Sequence, residues 1–115
     1  MRIGKQQSVC EWAKVQPHPP LPNSKLGIAL SSLRQQPIHG LRVPPTETTN
    51  GWYIWGGGGE MSRDPDFFAP LHVEHLSKYL PTAVEYLDLP PGYRFLIVGE
   101  NYEDVWFDPS LMEGK

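Results

Sequence analysis

The chain has 115 residues, a single cysteine and a formal net charge of −3, which fits one domain built around one packed core and leaves no room for a second. With Cys10 alone no intramolecular disulfide forms, so packing must hold the fold, and a reducing, cytoplasmic setting is expected. The opening MRIGKQQSVCEW lacks the apolar core of a signal peptide, and no stretch reaches the roughly 20 apolar residues of a membrane helix, so no membrane partner is expected.

In chain order, Ser8 is placed to cap a short helix through Val9, Trp12, Ala13 and Val15. Pro17-His18-Pro19-Pro20-Leu21-Pro22 excludes helix and central strand and reads as a polyproline-like connector. Residues 1–23 are therefore an N-terminal helix with a Pro-rich lead-in, and 24–115 a single domain. Within 25–33, Leu26, Ile28 and Leu30 suit a strand while Leu26, Leu30 and Leu33 suit a helical stripe, and both remain open. Gly40 to Pro45 reads as a turn and extended lead-in. Trp52-Tyr53-Ile54-Trp55, opened by Asn50-Gly51 and closed by Gly56 to Gly59, is a strand. Asp66 is placed to cap a turn over Phe67 and Phe68. Pro70 then suits a helix start, with Leu71, Leu76, Tyr79 and Leu80 on one side, and Pro81 breaks or restarts that helix. A second helical segment, 82–87, turns Val84 and Leu87 inward and stops before Leu89-Pro90-Pro91-Gly92. Tyr93 to Val98 is the strongest strand, followed by the turn 99–104 and the strand Val105-Trp106-Phe107. The expected fold class is α+β, one small domain with an antiparallel sheet of about four or five strands and helices packed on one face.

Charge divides along the chain. Residues 1–46 carry six Lys/Arg against Glu11, about +5, and residues 47–115 carry twelve acids against four Lys/Arg, about −8, which together give the net −3. An acidic field over the better-patterned part repels phosphate backbones, so nucleic acid is not an expected partner, and it attracts basic proteins. The same acids also keep a small domain soluble.

Catalytic patterns are weak. Glu60 follows the four glycines where a phosphate loop needs Gly-Lys-Ser/Thr, which disfavours a nucleotide site. His72 and His75 with Glu74 between them share a side of the expected helix, a possible spacing for two metal ligands, but the motif fixes no third ligand and lacks the four-residue spacing of His-Glu-x-x-His. Surface or packing histidines are the preferred reading. Cys10 has no nucleophile signature, and Ser31-Ser32 lacks the Gly-x-Ser-x-Gly turn. No cofactor or metal is expected. The richest cluster is aromatic and acidic: Trp52, Tyr53, Trp55, Phe67, Phe68, Tyr93, Tyr102, Trp106 and Phe107, with acids beside them. On the two-residue strand period Trp52 and Ile54 face one way and Tyr53 and Trp55 the other.

The stretch Asn50-Gly51-Trp52-Tyr53-Ile54-Trp55-Gly56, then Asp64-Pro65-Asp66-Phe67-Phe68-Ala69-Pro70-Leu71-His72-Val73-Glu74-His75-Leu76, resembles the immunity protein 33-like family of small bacterial proteins. Leu89 to Ile97 and Tyr102 to Asp108 continue the series, and Lys25 to Leu30 with Gly40-Leu41-Arg42 resemble its upstream part, so the likeness covers about residues 24–112. The four-glycine run is longer than the family's usual loop. The resemblance implies a non-enzymatic, cytoplasmic immunity protein from bacterial polymorphic toxin systems, whose partner is a cognate toxin offering a basic surface or active-site cleft. Aromatic anchors ringed by acids suit such a partner. The expected contacts are Trp55, Glu60, Asp64, Asp66, Glu100, Glu103 and Asp104. The competing readings are a small hydrolase or metal-dependent enzyme using His72, Glu74, His75 and an acid from the hairpin, and a scaffold or peptide-binding module whose 17–22 segment serves as a ligand for another domain.

Overall fold

The computed structural model describes residues 2, 6–58, 64 and 66–113. Ser8 caps the helix α1 (Val9–Ala13) with a reciprocal capping box: the Glu11 amide donates to the Ser8 hydroxyl at 3.1 Å and the Ser8 amide to the Glu11 carboxylate at 2.9 Å. Lys14, at φ 63°, ends it in the left-handed conformation. Six strands follow: β1 (Lys25–Ile28), β2 (Ile38–Arg42), β3 (Trp52–Gly56), β4 (Ala69–His72), β5 (Tyr93–Val98) and β6 (Tyr102–Phe107). They form one sheet in the order β4-β1-β3-β2-β5-β6. β1 runs parallel to β3 and all other pairs are antiparallel. The α+β class holds, while the expected antiparallel sheet of four or five strands is a mixed sheet of six.

The two additional strands come from segments whose local chemistry argues against them. β2 contains Gly40, a poor strand former, but a Cβ there would lie 2.2 Å from the Phe95 ring on β5, so the ring occupies the space that the glycine leaves. β4 contains Pro70, which reads as a helix start, yet β4 is an edge strand and an edge tolerates proline. The helix expected from Pro70 is thus strand to His72, then a 3-10 turn (Val73–His75) and one α turn, α2 (Leu76–Tyr79). The segment after it is a 3-10 helix, Pro81–Tyr86, which turns Ala83 and Tyr86 inward and leaves Val84 41% exposed, because a three-residue turn puts i and i+3 on one side. In the ambiguous 25–33 region, β1 is followed by a 3-10 turn at Leu30–Ser32.

The main core lies on one face of the sheet, where Leu26, Ile28, Trp52, Ile54 and Phe95 meet Val9, Leu76, Ala83, Tyr86 and Leu89. Tyr86 stacks on Phe95 at 4.8 Å, and Trp52 Nε1 donates to the Leu87 carbonyl at 3.0 Å. Each buried large side chain contributes about 1.5–3 kcal/mol through removal from water. The other face carries a smaller cluster of Ala29, Leu41 and Trp55, covered in part by Phe67, Phe68 and Leu111. Both expected pairs of the Trp52–Trp55 alternation are therefore packed, one in each cluster.

A buried ion network fastens the N-terminal end to the β5–β6 hairpin. Arg2 Nη2 lies 2.7 Å from Glu103 Oε1 and 2.9 Å from Glu85, its backbone amide donates to Glu103 at 3.0 Å, and the Tyr86 hydroxyl donates to the same carboxylate. Burial alone would raise the Glu103 pKa, but the hydrogen bonds from Arg2 and Tyr86 outweigh it and hold the group at about 2. Burial, followed by the bond to Glu103, pushes the Tyr86 hydroxyl well above its ordinary value.

Two outcomes are expected. Because the folded pKa of Glu103 is depressed, its stabilisation is fully present above the unfolded value near pH ~4.3 and is lost as pH falls toward about 2. Glu103→Gln should cost about 3–5 kcal/mol at pH 7 by urea unfolding, a deficit that narrows as the pH is lowered through that window; parallel wild-type and variant pH profiles would contradict the network. Gly40→Ala should cost about 1–3 kcal/mol, and Phe95→Leu in the same chain should recover part of it, giving a non-additive double-mutant cycle.

Candidate functional site

The strand directions sort the loops between two ends of the sheet. The carboxyl ends of β1, β3 and β5 meet the amino ends of β2, β4 and β6, so residues 29–37, 57–58, 64, 66–68 and 99–101 gather at one end. The opposite end carries the 14–24 strap, the 43–51 turn and the start of β5. Of the residues expected at the interface, Asp64 and Asp66 lie in the first group on the β3–β4 crossover and are exposed, with the Asp66 amide donating to Asp64 Oδ1 at 2.9 Å. It is thus Asp64, not Asp66, that caps the turn before Phe67. Glu100 is exposed in the β5–β6 turn, and Asp104 is half-buried within β6. Glu60 lies outside the described residues. Glu100 and Asp104 share one hairpin, whereas Asp64 and Asp66 stand across the width of the sheet from them.

Two expected contacts point inward. Trp55 is 4% exposed, stacks on His39 at 4.9 Å, and takes Phe68 edge-on at 6.2 Å. Its indole N–H has no hydrogen-bond partner among the described residues. His39 is held in place through Nε2, 2.8 Å from the Gly57 carbonyl. Glu103 is 4% exposed and bound to Arg2 and Tyr86. Its neighbour Val105 packs against the core, and the two-residue period that places Val105 inward places Glu103 inward as well.

The same period turns Tyr102, Asp104 and Trp106 to the other face, beside Val98, Leu96 and Arg94, their partners across the ladder. Tyr102 is 44% exposed, Trp106 38% and Val98 39%, so apolar surface is presented on an edge hairpin with Glu100 and Asp104 around it. At the far end of the strand, Arg94 Nε donates to Asp108 at 2.7 Å, and Asp108 also accepts from Ser110; those bonds, Ser110 first, hold its carboxyl below the usual range. Tyr102 and Trp106 were legible as members of the aromatic cluster, and counting by twos from Asp104 selects them. This surface offers aromatic anchoring and negative charge but no catalytic constellation.

The chemical alternatives find little around them. His72 ends β4 and His75 lies in the turn after it, with rings 5.8 Å apart, but among the described residues no group of three His, Cys, Asp or Glu side chains assembles to hold a metal. Cys10 is buried, and burial, followed by Asp88, raises its thiol pKa, the opposite of what a nucleophile needs. The Pro-rich segment is tied down: the His18 amide donates to Asp88 and its carbonyl accepts from Arg42, both at 2.6 Å. No helix among the described residues is long and apolar enough to cross a membrane.

Comparison with curated proteins and with solved structures returns no match. The sequence model of the Imm33-like domain matches residues 5–108, which takes in α1, every strand and the β6 surface. The chain belongs to the Imm33-like family of immunity proteins.

Proposed function

We propose that this protein neutralises a cognate bacterial toxin in the cytoplasm of the producing cell by binding it directly, without catalysis. Family membership supplies the class. The observation that carries the mode of binding is the outward face of β6, where Tyr102 and Trp106 flank Asp104 on an edge strand and Glu100 sits at the turn. Exposed aromatics of this kind gain affinity by desolvation, while acids around them accelerate encounter with a basic partner. A toxin acting on nucleic acid or on phosphorylated substrates presents such a basic cleft. Asp64 and Asp66 extend the acidic field at the same end of the sheet and steer the encounter from outside the contact. Trp55 and Glu103 serve the surface indirectly, the first as the floor beneath Phe68 and the second as the anchor of the hairpin.

The test uses a cognate toxin, sought in the reading frames beside this gene. Trp106→Ala should weaken the complex by about 2 kcal/mol or more, mostly through faster dissociation. Glu100→Lys with Asp104→Lys should slow association and abolish its salt dependence. Wild-type affinity in both variants, with unfolding midpoints unchanged, would place the toxin elsewhere.

A further inference from the structure

At the end of the sheet opposite the acidic loops lies a groove of about 620 Å³ between the Pro-rich strap and the 45–50 turn, with Pro19, Pro20, Lys25, Arg42, Thr48 and Asn50 in its lining. The volume lies within the ~300–1,000 Å³ of ordinary ligand sites. The groove is half open, so a small molecule in it would stay solvated along one side, whereas an extended chain could lie along the rigid proline wall.

Arg42 sets the chemistry. It is 5% exposed, and its guanidinium is held by carbonyls: Nε donates to Asn50 at 3.1 Å, and Nη1 to His18 at 2.6 Å and Leu89 at 2.8 Å. Nη2 makes no hydrogen bond among the described residues, and it is not among the buried atoms sealed from solvent. No carboxylate pairs with Arg42 or with Lys25 among the described residues, and Asp88 acts on Arg42 only through space. A buried guanidinium without a counter-ion is costly, and its remaining donors suit a carboxylate. Glu47 is the one acid in the lining, against two cations, and it sits exposed on the turn.

We propose that this groove is a second binding site, separate from the β6 face, that takes the terminal carboxylate of an extended peptide, with Arg42 Nη2 and Lys25 as its anion partners. The strap presents Pro19 and Pro20 to the peptide's apolar atoms, and Arg42 is pre-positioned by the carbonyls that already fill its other nitrogens. Recognition of a chain end differs in sign from the steering of a basic toxin, so the two sites serve different partners or different parts of one. Binding at the groove stands independently of toxin neutralisation and is measured without toxin.

The experiment is a titration of the full chain, followed by ¹H–¹⁵N NMR at the Arg42 side-chain Nε–H and the Thr48, Thr49 and Asn50 amides. The probes are acetyl-trialanine as the free acid, the same peptide as its C-terminal amide, sodium acetate and inorganic phosphate. The free acid should give saturable shifts at those positions, and the amide should bind about tenfold more weakly, the loss of one charge-assisted contact. Lys25→Glu, a change at an exposed position, should weaken the free acid by a similar factor while the rest of the spectrum is retained. Absence of saturable shifts with the free acid, equal binding of acid and amide, or an unaltered affinity in Lys25→Glu would overturn the proposal. Tighter binding of phosphate than of the free acid would replace the peptide end with a phosphate. Acetate alone matching the free acid would show an anion site with no role for the proline wall.

Discussion

The guanidinium of Arg42 is where the separate parts of the chain are tied together. It leaves the end of a central strand and binds carbonyls from the Pro-rich strap, from the turn before β3 and from the segment after the Pro81–Tyr86 turn. These segments have no regular secondary structure of their own at those points, and their carbonyls would otherwise need water as a partner. Trp52 donates to one of the same carbonyls, Leu87, and lies with its ring 5.8 Å from the Arg42 guanidinium carbon. One side chain thus satisfies backbone groups from three places at once and fixes the route of the chain around the core. The tryptophan below it converts that fixed route into packing.

The mixed sheet separates two kinds of surface. One face is closed by α1, α2 and the 3-10 turns and carries most of the buried apolar area. The other is covered only in part by the Phe67–Phe68 crossover and by Leu111, so a hairpin edge can carry aromatic side chains outward without loss of the core. β3 and β4 run in opposite directions on either side of β1, so the link between them begins and ends at the same end of the sheet. That geometry also delivers Asp64 and Asp66 to the same end of the sheet as the β5–β6 turn. The acidic end and the Arg42 groove are accordingly products of strand direction and not of sequence proximity.

The parts legible in the sequence are those whose signals are local. The α1 cap, the aromatic run of β3 and the apolar run of β5 each contain their own reason to form. β2 is not legible because the residue that makes it possible, Gly40, has a role only once Phe95 lies over it, and Phe95 is far along the chain. β4 is not legible because proline near the start of an apolar stretch serves a helix and an edge strand equally, and only the finished sheet decides. The same limit applied to the candidate site. Glu100 and Asp104 are legible as hairpin acids beside aromatics, but an acid whose partner is Arg2 looks the same in sequence as an acid facing solvent. Alternation with Val105 was the one signal that distinguished Glu103, and Arg42 gave none, since its partners are carbonyls that every residue possesses.

The Arg2–Glu103 pair joins positions 101 residues apart. During synthesis Arg2 emerges well before the carboxylate that neutralises it, which lies 101 residues further along the chain. Until then Arg2 has no strong reason to leave water, α1 lacks the hairpin that fastens it, and the parallel pairing of β1 still awaits later strands. The fold is therefore sealed by its latest-made hairpin. A variant lacking β6 would lose both the outward aromatic surface and the carboxylate that holds Arg2, so the element that presents the proposed toxin contact also carries a lock of the fold.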